Sequence, residues 1–390
     1  MYRNLSLKKK KFIDPRWLFA VGLIISALVT YSEVAHLCNP DFEILRTTTV
    51  GFWHGSVPYG EKGEGLFLYG PLFSIIFTPF AFLPAGIAPY LWNIFNFCFF
   101  FLSIFALPDY VKTEQKCRFF LFLLPLAAVS QLSFRFDTTT VYLALFAFSL
   151  MERGFYKCGI TVILVSAFSG VYGIFQLITL LFYPKFWKNL GFAVAVAAVF
   201  SATPLLGFSF SDFAGYYQSW YAAVWTCEMT QPFFTVFNLK PFFHELPVWR
   251  ASARAISCAA LVILILMRKN RFSFFAFRAG VTGVLMGWAV LFGMVSDIST
   301  YLIALAGFML WYYGKNSATA ADRVVLWCNF FILSVIPIDI LFSNTVQDFL
   351  FYTVTLNVWI FAVTWLWMLA YSFFGSKRDL FSQHSYHLPL

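Results

Sequence analysis

Apolar residues in this chain come in long runs separated by short polar interruptions, a pattern that predicts a bundle of membrane-embedded helices. The runs occupy 16–37, 68–84, 87–107, 119–134, 137–151, 158–183, 188–207, 252–267, 274–294, 299–313, 323–343 and 350–374. A spanning helix needs about 20 such residues, fewer where it is broken or packed inside protein. Two runs resist a simple reading. Pro71, Pro79 and Pro84 break 68–84, so it is expected to re-enter or lie at the interface rather than cross. The run 158–183 is long, and Phe168-Ser169-Gly170-Val171 offers a break that divides it into two short helices.

Composition agrees with the pattern. Of 390 residues, 60% are hydrophobic, 22% aromatic and only 12% charged, about half the charged share of a soluble domain. The net charge of +9 sits in short clusters beside apolar runs, such as Lys8 to Lys11 and Arg268-Lys269-Asn270-Arg271. These read as topology signals, with the lipid bilayer as partner and no nucleic acid. The first run has no small-residue cleavage site behind it and reads as an uncleaved anchor. The seven cysteines are scattered and never paired as Cys-x-x-Cys, so no metal or disulfide framework follows, although Cys38 and Cys227 could meet on an oxidising face.

The fold class expected is all-α: a single polytopic membrane domain over 1–390. Positive-inside bias assigns the basic loops, the tail 1–15 and the tail 376–390 to the cytoplasm, which gives about twelve crossings. The opposite face then collects the first loop 37–66, the 132–138 turn, the 168–171 break, a large loop at 208–250, Ser296-Asp297 and 343–349. The polar, chemically interesting residues fall almost entirely on that side. No internal repeat relates the two halves, which counts against a transporter built from inverted repeats.

Within the first loop, Asn39 can cap a helix that has Pro40 at its first position, and Phe42, Leu45, Thr49 and Phe52 recur at helical spacing. This predicts an amphipathic helix on the bilayer surface. Asp41 lies in its first turn, where the helix dipole favours a negative charge. A carboxylate there can serve as a general base, or simply help start the helix. Glu43 falls on a different side of the helix, so the two acids do not form a shared-proton pair by geometry and Glu43 is a secondary candidate. Cations on the same face are Arg46, His54, Lys62, Arg135, His244 and Arg250. Asp297 and Asp339 are acids in apolar surroundings, which makes each a functional candidate or an interfacial anchor. Trp220, Tyr221, Trp225, Phe233, Phe234 and Trp249 could stack on sugar rings, though packing onto the membrane is the simpler use.

The run Asp41-Phe42, Gly55, Tyr59, Tyr69-Gly70-Pro71-Leu72-Phe73, Pro79, Leu83-Pro84 and Leu91-Trp92-Asn93-Ile94-Phe95-Asn96 resembles glycosyltransferase family 87. This is a branch of the GT-C membrane glycosyltransferases that includes polyprenol-phosphate-mannose-dependent mannosyltransferases. A weaker match continues through Gln131, Phe168 to Gly173, Ser296 to Trp311 and Pro337 to Phe342. The resemblance implies an inverting transferase of the bacterial cytoplasmic membrane. Such an enzyme moves a hexose or pentose, with mannose favoured, from a polyprenyl-phosphate donor to a glycan or glycolipid hydroxyl on the extracytoplasmic side. It implies Asp41 as general base and falls on Tyr69 and Gln131; among the cations on that face Arg46, His54, Arg135 and His244 are expected donor-phosphate or substrate contacts, with Glu43 and Asp297 as secondary candidates. A positioned carboxylate contributes roughly 10²–10⁴-fold by taking the proton of a hydroxyl nucleophile, and a phosphate leaving group departs without an acid where cations stabilise its charge.

The chain departs from that family at two places. Relatives carry lysine in a Phe-x-Lys-x-aromatic-Gly element, where this chain has Phe168-Ser169-Gly170-Val171-Tyr172-Gly173. Relatives also have Gln-x-Asn where this chain reads Gln131-Leu132-Ser133-Phe134-Arg135. Arg135 is expected to supply the missing cation, since arginine forks onto phosphate oxygens; the simpler alternative is a local pair with Asp137. The chain contains no Gly-rich nucleotide loop, His-Glu-x-x-His or Gly-x-Ser-x-Gly, which disfavours a nucleotide-sugar donor. Nor does the sequence hold a cluster of carboxylates close enough to demand a divalent ion, so transfer is expected to need no metal and no cofactor. The alternatives are a transporter or flippase of a lipid-linked sugar, and an inactive relative acting as an assembly partner.

Overall fold

The computed structural model describes residues 14–35, 40–57, 59, 67–230, 247–294, 296–315, 317–338 and 341–375. His244, Asp339, the basic cluster at Lys8 to Lys11 and the Cys38–Cys227 pairing lie outside the described residues. Within them every regular element is helical: α1 (Pro15–Ala35), α2 (Pro40–Trp53), α3 (Pro71–Ala81), α4 (Ala88–Phe105), α5 (Thr113–Leu132), α6 (Asp137–Glu152), α7 (Tyr156–Ser169), α8 (Phe186–Ser201), α9 (Phe213–Thr230), α10 (Pro247–Met267), α11 (Phe275–Leu291), α12 (Tyr301–Gly314), α13 (Ala320–Asn329), α14 (Asn344–Asp348) and α15 (Leu356–Phe374), with short 3₁₀ and π segments between them. Four are long and apolar enough to cross a membrane: 15–35, 88–105, 186–206 and 356–374.

The amphipathic helix forms at Pro40–Trp53, with Phe42, Leu45, Thr49 and Phe52 buried and Asp41, Glu43 and Thr47 exposed. Its apolar stripe packs on protein, not on lipid as its pattern predicts. Phe42 meets Phe77 of α3 at 5.5 Å and Phe134 at 5.3 Å, and Phe52 meets Phe208 and Tyr216. The proline-broken stretch yields α3, 11 residues long with Pro79 inside. At 1.5 Å per residue it reaches roughly 16 Å, far short of a bilayer core of about 30 Å.

The long run at 158–183 divides at Gly170, where α7 ends and the backbone turns extended before a 12-residue 3₁₀ segment, Val171–Phe182. Such segments rarely exceed 3–4 residues. One expectation is corrected: 208–250 is not simply a loop, because α9 and the start of α10 lie inside it. Two aromatic positions there are spent on packing, with Tyr216 buried against Phe52 and the Trp220 Nε1–H donating to the Leu68 carbonyl at 3.0 Å.

Helices α11 and α12 form the centre. Every residue of α11 except Ala276 is buried, as expected of a helix apolar nearly all round. The two approach closely where Gly283 faces Gly307, since a Cβ on either would run into the other's carbonyl oxygen, the small-residue contact common between membrane helices. Polar groups sit at the two ends of this core. At one end Arg278 grips Glu152 with two bonds of 2.6 Å, and Lys315 bonds Asp322 at 2.6 Å. At the other end lie Arg135, Asp137 and Asp297. Asp137 and Glu152 are the two ends of α6, so roughly 22 Å of apolar helix separates the clusters.

Candidate active site

The turn between α5 and α6 carries the first part of the site. Phe134 holds a left-handed φ of 47°, unusual for a residue with a large side chain. It lets the chain reverse within four residues, with the Phe134 N–H on Gln131 O at 3.3 Å and the Arg135 N–H on Ser130 O at 3.2 Å. The turn is fixed by a buried polar network. Asn93 Nδ2 donates to Gln131 O at 3.1 Å and Thr30 Oγ1 at 2.9 Å, Gln131 Nε2 donates to Asn93 O at 3.3 Å, and Thr138 donates to Ser130 at 3.1 Å. Phe134 and Phe136, both buried, anchor it in the aromatic cluster of Phe42, Phe73, Phe77 and Trp92.

The second part comes from the chain between α11 and α12. Asp297 Oδ2 meets Arg135 Nη1 at 2.9 Å, and its Oδ1 accepts from the Thr300 N–H and hydroxyl at 3.0 Å each and from Ser299 at 2.7 Å. Ser299 Oγ also lies 2.6 Å from Asp137 Oδ2. Burial alone would raise the Asp297 carboxyl, but Arg135, Ser299 and Thr300 together hold it below its ordinary range. Burial likewise opposes the Arg135 charge, and the surrounding groups, led by Asp297 and extending to Asp41, outweigh it and keep the guanidinium charged.

These groups open into a cavity of about 180 Å³ walled by Tyr69, Arg135, Phe136, Asp137, Tyr172 and Arg254, with Asp297 and Phe292 among the remaining lining. That is smaller than the roughly 300–1,000 Å³ of sites that enclose a drug-sized ligand. Tyr69 reaches it from the extended stretch before α3, its hydroxyl accepting from the Phe136 N–H at 3.3 Å and its ring stacked on Phe73 at 4.6 Å. Gly70 keeps that stretch against α7, donating to Ser169 O at 3.1 Å where a Cβ would collide with the Phe168 carbonyl. The 3₁₀ segment supplies Tyr172, which lines the cavity together with Thr300.

The sequence candidates therefore separate. Tyr69, Arg135 and Asp297 line the cavity, Gln131 stands behind it in the turn network, and Asp41 lies near enough for its charge to act on Arg135. Arg46 is elsewhere, with Nε on the Ala81 carbonyl at 3.1 Å and Nη1 3.7 Å from Glu43. His54 is exposed just past the end of α2, and none of Asp41, Glu43 and His54 lines the cavity. Arg135 pairs with Asp297 rather than with its sequence neighbour Asp137. Gly170 shares the cavity with Arg135, and the room above it is taken by Phe136, whose ring lies 3.1 Å from where a Cβ would stand. Among the lining residues, Asp137, Tyr172 and Arg254 are not singled out by the sequence as site residues, although Tyr172 lies in the Phe168 to Gly173 element. Arg254 and Asp137 each carry a charge inside or at the edge of an apolar run, and that is the signal that could have found them. Against known proteins, no family model matches this chain and no curated protein matches it.

Proposed function

We propose that this chain is an integral-membrane glycosyltransferase that takes a hexose or pentose, mannose favoured, from a polyprenyl-phosphate donor and transfers it with inversion to a glycan or glycolipid hydroxyl. The observation that carries the reading is Arg135, fixed by Asp297 at the wall of a compact cavity that mixes charged, polar, aromatic and small apolar residues, with the Asp41 carboxylate in electrostatic reach. A cation stabilises the phosphate that departs, and a carboxylate beside it takes the proton of the attacking hydroxyl. The cavity suits one phosphate or sugar ring, so the polyprenyl tail would remain in lipid. Asp41, exposed in the first turn of α2 and outside the cavity wall, is where an acceptor from solution would arrive. The reading invokes no metal ion.

On this reading the chain crosses the bacterial cytoplasmic membrane about twelve times with both termini inside, and the Arg135 end of the core faces the extracytoplasmic side. The polar clusters at both ends of an apolar core support a membrane-embedded bundle, and the positive-inside bias supports the orientation. The test is incubation of purified protein with a panel of labelled polyprenyl-phosphate sugars and membrane-extracted acceptors, in detergent and in sealed vesicles. Transfer of label to an acceptor in detergent supports the transferase. Movement of the sugar lipid across vesicles with no new glycosidic bond would replace it with a flippase.

A further inference from the structure

Ser299 has one hydroxyl hydrogen and sits between two carboxyl groups, 2.6 Å from Asp137 Oδ2 and 2.7 Å from Asp297 Oδ1. It can donate to only one of them. At the other, a hydrogen bond this short requires the acid itself to donate, because two acceptors do not approach so closely without a proton between them.

The bonding around Asp297 decides which acid holds that proton. Its Oδ1 takes the Thr300 N–H, the Thr300 hydroxyl and Ser299, while its Oδ2 takes Arg135. Both oxygens act as acceptors, so Asp297 is the anion and Ser299 donates to it. The proton therefore belongs to Asp137. Its place at the start of α6 favours a negative charge, but Asp297 is already charged no farther away than two hydrogen bonds laid end to end. Two carboxylates this close, both at most 7% exposed, do not ionise together. The other titratable groups facing the cavity are Arg135, Arg254, Tyr69 and Tyr172; Arg135 is committed to Asp297 through the bond above.

We propose that Asp137 is a second catalytic carboxyl, holding a proton on Ser299 in the resting protein and delivering it to the phosphate oxygen of the departing lipid carrier. This rests on the transferase reading. As the acceptor oxygen bonds to the anomeric carbon, the carbon–oxygen bond to the phosphate breaks and its electron pair stays on the phosphate. The Asp137 proton goes to that phosphate, and Asp41 receives the proton of the acceptor hydroxyl. One proton is thus gained at Asp41 and one lost at Asp137, and exchange with solvent restores both after the products leave. Asp137 lines the cavity beside Arg135, so charge neutralisation and proton delivery reach the leaving group from one wall.

Two measurements on the purified full-length protein test this. The infrared carbonyl stretch of a protonated carboxylic acid is expected in the wild type at neutral pH, absent in Asp137→Asn and shifted in Ser299→Ala. Its absence from the wild type would overturn the proposal, and this readout needs no turnover. Asparagine has the shape of the protonated acid, so Asp137→Asn is expected to fold with an unchanged KM and a kcat reduced roughly 10²–10⁴-fold. That deficit is expected to narrow with a donor whose carrier bears an electron-withdrawing group beside the phosphate. A kcat equal to wild type, or a deficit independent of the leaving group, would refute delivery. If no donor turned over in the wild type, the transferase reading and the delivery step would fall together, while the infrared band would still place the proton.

Discussion

Arg135→Ala separates two consequences that the geometry keeps distinct. The guanidinium lies 2.9 Å from Asp297, with side-chain exposures of 27% and 7%. Removing one member of a fully buried pair costs about 3–5 kcal/mol. Here water reaches Arg135, and Asp297 keeps the Thr300 N–H and two hydroxyls, so the stability loss is expected to be nearer ~1–2 kcal/mol. Donor binding loses a charge-assisted bond to phosphate, about 1.5–3 kcal/mol, which is a roughly 10- to 150-fold weaker affinity. Equilibrium binding of a labelled polyprenyl-phosphate sugar and thermal unfolding in the same detergent measure the two effects. Repeating both in an Asp297→Asn background is expected to remove most of the stability loss, since no orphaned anion remains, and to leave the affinity loss in place. Unchanged donor affinity in Arg135→Ala would refute the assignment of Arg135 to the phosphate.

Other perturbations test the frame. Glu152 and Arg278 are 1% and 2% exposed, so Arg278→Met is expected to destabilise the protein by about 3–5 kcal/mol, with most of the loss recovered on adding Glu152→Leu; detergent unfolding of the single and double variants checks this. A Cβ at Gly283 would meet the Gly307 carbonyl, and Gly283→Ala is expected to cost about 1–3 kcal/mol by forcing α11 and α12 apart, whereas Gly191→Ala, which points into open space in α8, should stabilise slightly through helix propensity. The Asp297 carboxyl is held below its ordinary value of 3.8. Its contribution is complete above that pH and is lost as pH falls through the lower folded value, so the wild type is expected to lose stability more steeply than Asp297→Asn only in that acidic range, as melting temperature against pH would record.

Local pattern made much of the architecture legible. The i, i+3, i+4 recurrence of Phe42, Leu45, Thr49 and Phe52 located α2 and its buried face, the prolines of 68–84 limited α3 to a short helix, and Gly170 marked a real break. What covers the α2 face was not legible, because its partners Phe77, Phe134 and Phe208 come from distant segments. The helix at 213–230 was missed for a related reason: its Tyr and Trp positions read as a polar interfacial loop until Tyr216 and Trp220 find Phe52 and Leu68. At the cavity, Arg135 stood out as a charge in a turn. Its pairing with Asp297, 162 residues on, and the bridge from Ser299 to Asp137 depend on α6 and the α11–α12 connection meeting at one end of the core. Arg46 looked equally available in sequence, but a carbonyl at the end of α3 engages it.

The central claim is that the Asp41 carboxylate deprotonates an acceptor hydroxyl while the cavity cation holds the phosphate. The most direct measurement compares sugar transfer by the wild type and Asp41→Asn, using a polyprenyl-phosphate donor that the wild type turns over. Asp41 is exposed and its Phe42 neighbour carries the packing, so the variant is expected to fold and bind donor normally while its transfer rate drops roughly 10²–10⁴-fold. Transfer at the wild-type rate in Asp41→Asn would contradict the account and move the base to another residue.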